Sequence, residues 1–431
     1  MRAALWFLGL FGVAVAVALF AGNNQSTVTV FWPPYRLDLS LNLVLLVAVA
    51  VFMLVWLAMR ALQGLMALPK EARRWRIQHQ ERQIQNGLLD AMAHLAAGRF
   101  IRARKTAERI LNLEHQLATV EDILGDAAYA RRAARLRTML HLLAADSAHA
   151  LQDQAQRDAH AQQAVAQAAL PELQDMREAV QLTAVRWAVQ DRNLPLAQQR
   201  YDELPQGVAR RTVALRWRFK IARFANRQGQ ALDVARLLGK HRAFSSAGTH
   251  SLLRSLAIEY LLGARDSAAV IQHWNKLDEA EQAMPEVAVT AARQFIQYGG
   301  EPRQALAWLL PIWEHILAEG PARERVNLAL LVDVLTLAFA RQGSTPEAVW
   351  LKRIEQAHLQ HAADELLQYL AGVACFHAQL WGKAQQLIEQ ALPRLTRPDL
   401  KRQAWITLAR LAEHRDDASA AARAWREAAL L

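Results

Sequence analysis

The chain has 431 residues, 53% of them hydrophobic, and its 51 Lys and Arg against 40 Asp and Glu give a formal net charge of +11. A single cysteine, Cys375, excludes an internal disulfide framework and any multi-cysteine zinc or iron–sulfur pattern, as suits a reducing compartment. The positive excess concentrates between Arg60 and Arg109, where 11 Lys/Arg face 4 Asp/Glu, so membrane lipid is the expected acidic partner and nucleic acid is not.

Two apolar runs come first. Leu5–Ala21 carries no charge, and Leu39–Met59 holds 17 uninterrupted apolar residues from Leu43 to Met59, a length that suits a hydrocarbon core about 30 Å thick. A backbone in lipid must satisfy its own hydrogen bonds, so both runs are expected to be helices, antiparallel because the loop between them, Asn23–Asp38, is short. The first run also fits the n- and h-regions of a cleavable signal peptide. However, Leu19 stands where cleavage after Ala21 wants a small residue, and a second span follows closely, so an uncut anchor is the simpler reading.

Positive residues next to a span stay on the cytoplasmic side. Arg60, Lys70, Arg73, Arg74 and Arg76 follow the second run, whereas Arg36 and Asp38 are the only ionisable residues between the two. The expected topology is a two-span hairpin with the N-terminus and the soluble part cytoplasmic, and with Trp32, Pro33, Pro34 and Tyr35 at the opposite interface. Residues 1–67 form the hairpin with its basic exit, and residues 68–431 form the soluble domain.

From Leu68 onward no strand alternation stands out. Ala, Leu, Gln, Arg and Glu dominate, and these lose least on entering a helix. Apolar residues recur at three and four, as in Leu366, Leu367, Leu370, Val373 and Ala374, over segments that stop at breakers such as Gly98-Arg99, Gly229-Gln230, Gly299-Gly300, Gly343-Ser344 and Gly382-Lys383. Helix pairs of this size call for a test of self-similarity. An offset of 37 residues places Gly372 on Ala409, Cys375 on Ala412, Ala384 on Ala421, Ile388 on Trp425 and Ala391 on Ala428. These positions, with Trp405 and Leu408 in the last unit, resemble the tetratricopeptide (TPR) repeat: small residues bring helix A against helix B, and large ones fill the gap to the next pair. Weaker units open at Gly98-Arg99-Phe100 with Ala103, Asn193-Leu194 with Ala197 and Tyr201, Gly300 with Ala305 and Leu309, and Gly343 with Ala348. The expected fold is all-α, a two-helix transmembrane hairpin followed by a TPR-like solenoid of eight or nine degenerate pairs.

Catalytic signals are sparse. The chain has no phosphate loop, GxGxxG turn, GxSxG elbow or HExxH helix, which removes nucleotide- and flavin-dependent oxidoreductases of the ordinary Rossmann kind, and no catalytic residue is assigned. His358 and His361, one turn apart with Asp364 and Glu365 following, are weak metal candidates; a solvated helix face is the favoured reading. Cys375 is expected in a helix A core rather than as a haem ligand. Of the 13 tryptophans, Trp6, Trp32, Trp56 and Trp75 belong to the membrane region, and core packing is favoured for Trp187, Trp217, Trp274, Trp308, Trp313, Trp350 and Trp381.

The combination of Ala21-Gly22-Asn23 after the first run, Val28-Thr29-Val30-Phe31 before the second, a basic exit and Gly98-Arg99-Phe100 opening the repeats resembles the HemY family. That family comprises TPR proteins of the bacterial inner membrane, associated with a late step of protohaem IX biosynthesis. The resemblance implies a non-enzymatic scaffold that gathers late haem-biosynthesis enzymes, with haem or porphyrin as a candidate ligand, and it supplies no catalytic residues. A flavin-dependent oxidase shares the family's name, and the dinucleotide turn it needs is missing from this chain. The alternative is a TPR scaffold for lipopolysaccharide assembly, since the hairpin is also similar to small membrane proteins of that pathway.

Overall fold

The computed structural model describes residues 2–119, 127–342 and 348–431. The chain separates into two compact units, Met1–Leu173 and Gln174–Leu431.

The first unit opens with helix α1 (Arg2–Asn23), followed by a β-hairpin of strands β1 (Thr27–Trp32) and β2 (Tyr35–Ser40). Apart from this ribbon, the regular elements of the described residues are all helices. Six residue pairs align in register from Thr27↔Ser40 to Trp32↔Tyr35, and Pro33-Pro34 makes the turn. The β-branched run Val28-Thr29-Val30 favours extended backbone, so Leu39 and Ser40, assigned above to the second span, are strand instead. Helix α2 (Leu41–Ala96) then starts at an N-cap, where the Ser40 hydroxyl accepts from Leu43 N at 3.3 Å. Asn42 donates to the Ala21 carbonyl at 2.8 Å and so ties the end of α1 to the start of α2.

Of the two expected spans, one is long and apolar enough to cross a membrane: Leu41–Leu62, none of it covered by the protein. The apolar part of α1, Trp6–Leu19, is shorter. Helix α2 has 56 residues, about 84 Å at 1.5 Å per residue, nearly three times a hydrocarbon core. It runs without a break through residues 67 and 68, and its far end buries Ile84 and Ala91 as helix A of the first repeat. Helices α3 (Phe100–Ala118), α4 (Ala127–Ala150) and α5 (Gln154–Gln167) complete this unit, with a single 3-10 turn at Pro171–Leu173. The apolar core of these helices comprises Ile84, Ala107, Ile110, Leu117, Leu140 and Ala144.

The second unit runs through α6 (Gln174–Gln190), α7 (Leu194–Asp202), α8 (Gln206–Ala209), α9 (Thr212–Phe224), α10 (Gln228–Lys240), α11 (Ser246–Leu262), α12 (Ser267–Asn275), α13 (Glu279–Gln282), α14 (Pro285–Gln297), α15 (Pro302–Glu319), α16 (Arg325–Gln342), α17 (Ala348–Gln360), α18 (Glu365–His377), α19 (Trp381–Ala391), α20 (Pro398–Glu413) and α21 (Ala418–Leu430). Setting aside the one-turn helices α8 and α13, the described residues form two helix pairs in the first unit and seven in the second. In the second unit each helix A meets its own helix B or the next pair: α11 packs on α14, α14 on α16, α16 on α18 and α18 on α20. That is the arrangement of a solenoid. One apolar core extends from Ala222 to Ala424, and α6 to α9 hold a smaller cluster of their own from Val185 to Ile221.

The turns between paired helices share a backbone device. A left-handed residue ends helix A at Gly98, Gln152, Arg192, Asn226, Gly299, Gln379 and Asp416. The next amide bonds back five residues, for example Asn193 N to Ala188 O at 3.0 Å, Leu380 N to Cys375 O at 2.9 Å and Asp417 N to Ala412 O at 3.0 Å. This is the Schellman closure of a helix end. Gly98 and Gly299 hold the position, but Gly229 and Gly382 do not break anything, because they sit inside the first turns of α10 and α19. The positive-φ residues there are Asn226 and Gln379, three residues earlier in each case.

Candidate binding groove

The repeat-signature residues occupy the interior of their pairs. Gly372, Ala384, Ile388, Ala391, Leu408, Ala409, Ala421 and Ala428 are all buried. A Cβ on Gly372 would stand 2.5 Å from Ile388 Cγ1 and 3.4 Å from the Ala384 carbonyl, so the close approach of α18 and α19 requires a residue without one. Trp405 is half-buried against the core. Trp425 departs from its core assignment: it is 40% exposed, and its indole N–H donates to Glu413 at 2.8 Å. Upstream, Ala103, Ala197 and Ala305 are buried at the same early position of helix B. Ala348 is exposed, and Trp350 and Ile354 take the interior of α17 instead; Gly343-Ser344 lies outside the described residues. The other tryptophans assigned to packing are buried or half-buried, with Trp274 stacked on Trp308 at 5.0 Å and Trp313 edge-on to Trp350 at 5.9 Å.

From α11 to α20 of the second unit the helix A segments pack in succession and form one groove. Its first depression, about 220 Å³, lies among Ile258 and Leu262 of α11, Glu286, Val289, Thr290, Arg293 and Gln294 of α14, and Leu330 of α16. One turn further along α16 a second, about 170 Å³, opens between Asp333, Thr336 and Leu337, Tyr369, Val373 and His377 of α18, and Gln403, Thr407 and Arg410 of α20. Charges link successive helix A segments in steps, and a last pair reaches from α16 past α18 to the residue before α20. Arg223 pairs with Glu259, Arg254 with Glu286 at 2.8 Å, Arg293 with Asp333 at 3.8 Å, and Arg397 with Asp333 at 2.7 Å. Burial raises the Asp333 carboxyl above its usual range despite the Arg397 contact. His377 is lowered, first by burial and then by Arg410. The groove is thus a set of apolar steps edged by paired charges, a surface that suits an extended or helical protein segment.

Sequence reading missed this groove. Its signal is an Arg in one helix A followed 32 to 40 residues later by an acid in the next, as in Arg254–Glu286 and Arg293–Asp333. A single acid inside the apolar stretch Leu331-Val332-Asp333-Val334-Leu335 is a second sign.

His358 lies on α17, and His361 one residue beyond its end. The His358 Nδ1 is buried without a hydrogen-bond partner, and burial, then Lys383 and Arg394, lower its pKa; the same cations repel a divalent ion. Among the described residues no group of three or more His, Cys, Asp or Glu is gathered as a metal site. Burial pushes the Cys375 thiol up to about 11. It is a buried, protonated thiol. The basic exit, Arg60, Lys70, Arg73, Arg74 and Arg76, falls on α2 beyond or at the end of the apolar stretch, with Arg60 over the Trp56 ring at 5.3 Å.

These features define a class: a protein of stacked helix pairs whose first helix A is drawn out into a segment long and apolar enough to span a membrane. Within that class, residues 26–131 match the family described as HemY protein N-terminus. The match runs from the β-hairpin through α2 and α3 into α4. No curated protein matches the chain. Among solved structures it is similar to "Structure of Naa15/Naa10 bound to HypK-THB", at 14% identity and a TM-score of 0.23, over 77% of this chain and 56% of that one. A likeness so remote carries no argument, and the chain spans little more than half the length of that relative.

Proposed function

We propose that this protein is a non-enzymatic membrane scaffold for a late step of protohaem IX biosynthesis. Its groove gathers membrane-associated enzymes of that step. The observation that carries the reading is the HemY match on the helix that joins an apolar segment to the first repeat. Confining a partner-binding surface to the bilayer raises the local concentration of membrane-bound partners, a gain where an intermediate is reactive and poorly soluble. In this reading α1 and α2 form a two-span hairpin in the inner membrane, with the N-terminus and the repeats cytoplasmic, as the positive residues Arg60 to Arg76 favour.

The groove's two depressions fall below the about 300 Å³ at which small-ligand pockets begin, which within the groove favours a protein segment over an enclosed small ligand. Affinity purification of the full-length protein from membranes, with mass spectrometry of what co-purifies, tests the proposal. Recovery of terminal haem-synthesis enzymes is expected. Recovery of lipopolysaccharide-assembly proteins without them overturns it. A porphyrin-shielding role further requires saturable binding of protoporphyrin to the detergent-solubilised protein.

A further inference from the structure

The register of the β-hairpin sorts its side chains cleanly by face. Residues directly opposite one another share a face, and faces alternate along each strand. Thr27 with Ser40, Thr29 with Asp38 and Phe31 with Arg36 occupy one side. Val28 with Leu39, Val30 with Leu37 and Trp32 with Tyr35 occupy the other. The first side carries both charges of the hairpin, with Arg36 3.3 Å from Asp38 and over the Phe31 ring at 5.5 Å. The second side is apolar or aromatic at all six positions, and towards the tip the protein leaves it uncovered: Val30 is 41% exposed, Leu37 54%, Trp32 73% and Tyr35 71%.

A two-stranded ribbon is marginal in water on its own, and an apolar sheet face needs a cover. We propose that the cover is the bilayer surface: the ribbon lies in the interface with Val28, Val30, Trp32, Leu37 and Leu39 turned toward the acyl chains. Three observations select lipid. Helix α2 enters its apolar stretch at Leu41, the residue after β2 ends, so the ribbon is continuous with the membrane boundary. Trp and Tyr at the tip are the residues that gather at that boundary. Pro33 and Pro34 leave the turn without two backbone donors that would otherwise need water. Seated this way, the ribbon fixes the depth of the helix that begins immediately after it.

This inference rests on the reading of Leu41–Leu62 as a span, and the test separates the two. In a C375S background, single spin labels are placed at V30C and L37C on the apolar face, T29C and D38C on the polar face, and L46C and V55C in the apolar stretch of α2. The full-length proteins are reconstituted into vesicles of phosphatidylethanolamine and phosphatidylglycerol, and collisions with oxygen and with a water-soluble nickel chelate are measured. The expected result is a severalfold higher oxygen-to-nickel ratio at positions 30 and 37 than at 29 and 38, with 46 and 55 higher still. If 46 and 55 report lipid while 30 and 37 match 29 and 38, or if 30 and 37 show spin–spin broadening from a second copy, the ribbon inference fails and the span stands. If 46 and 55 report water, the span reading fails and takes the ribbon inference with it. Two positions on each face, each in its own protein, keep the contrast readable if one variant melts the hairpin.

Discussion

The two compact units are built from the same helix pairs and hold them together differently. In Gln174–Leu431 the pairs from α9 onward share a continuous apolar core, with fully buried Trp313, Phe339 and Tyr369 along it, and three buried glutamates each pair with an arginine: Glu178 with Arg211, Glu281 with Arg236 and Glu365 with Arg325. In Met1–Leu173 the apolar core is small, and polar contacts cross between the helices. Glu114, 1% exposed, is gripped by both arms of Arg137 and by Tyr129, whose hydroxyl is raised to about 12 by burial and then by Glu114. Arg104 reaches Asp153 at 3.0 Å, and His141 faces His160 across 3.1 Å between their Nδ1 atoms. Where α3, α7, α10, α15, α19 and α21 bury an alanine after the turn, α5 buries Arg157. Both units bury charge pairs at a desolvation cost, so the contrast lies in the apolar core: long and continuous where small residues set the spacing of regular repeats, short where the pattern lapses.

The largest effect that separates these two modes is expected in the apolar unit. Trp313→Ala should cost about 3–5 kcal/mol and speed amide exchange in α14, α15 and α16, while amides of α3 and α4 stay protected. Next, Glu114→Gln leaves Arg137 without its partner. Because Arg137 is a quarter exposed, the expected loss is about 2–3 kcal/mol, below the range for fully buried pairs. Replacing both Glu114 and Arg137 with Leu should cost much less than the single change; a double variant as unstable as the single one would show that the pair is packing rather than charge.

Gly372→Ala tests the close approach of α18 and α19. The added carbon meets Ile388, and a destabilisation of about 1–3 kcal/mol is expected in denaturant titration. An unchanged midpoint would mean that the two helices separate freely.

The smallest effects are pH-dependent and chemical. His141 is lowered from 6.5 to about 4 by burial, then by His160 and Arg137. Between those values the unfolded chain binds more protons than the folded one, so stability falls as pH drops through that window. His141→Asn should flatten the decline in melting temperature between about pH 7 and about pH 5, and a decline that persists unchanged would assign it to another group. Cys375, protonated and buried, should react with thiol reagents only as fast as α18 opens.

Much of this architecture could be read from composition and period. The apolar run of α2, the helical repeats and the small residues at Gly372, Ala384, Ala409 and Ala421 all follow from patterns that tertiary context does not overturn. The β-hairpin was hidden because residues 23–38 were read as a connection between spans, although Val28-Thr29-Val30 already alternates outward from a Pro-Pro turn. The breakers at Gly229 and Gly382 fall three residues late, because Asn226 and Gln379 rather than a glycine adopt the left-handed conformation at those turns, while the repeat frame itself holds. The groove escaped because it is assembled from residues 32 to 64 positions apart, a distance over which a single chain gives no local signal.

The most direct test of the scaffold is site-specific photo-crosslinking in intact membranes. A photoreactive residue replaces Thr290 or Gln403 in the groove, and in parallel Lys352 or Gln386 on exposed faces of α17 and α19. The account predicts that the groove positions crosslink late haem-synthesis enzymes and the helix B positions do not. Equal yields at both sets, or groove crosslinks only to proteins outside that pathway, would contradict it.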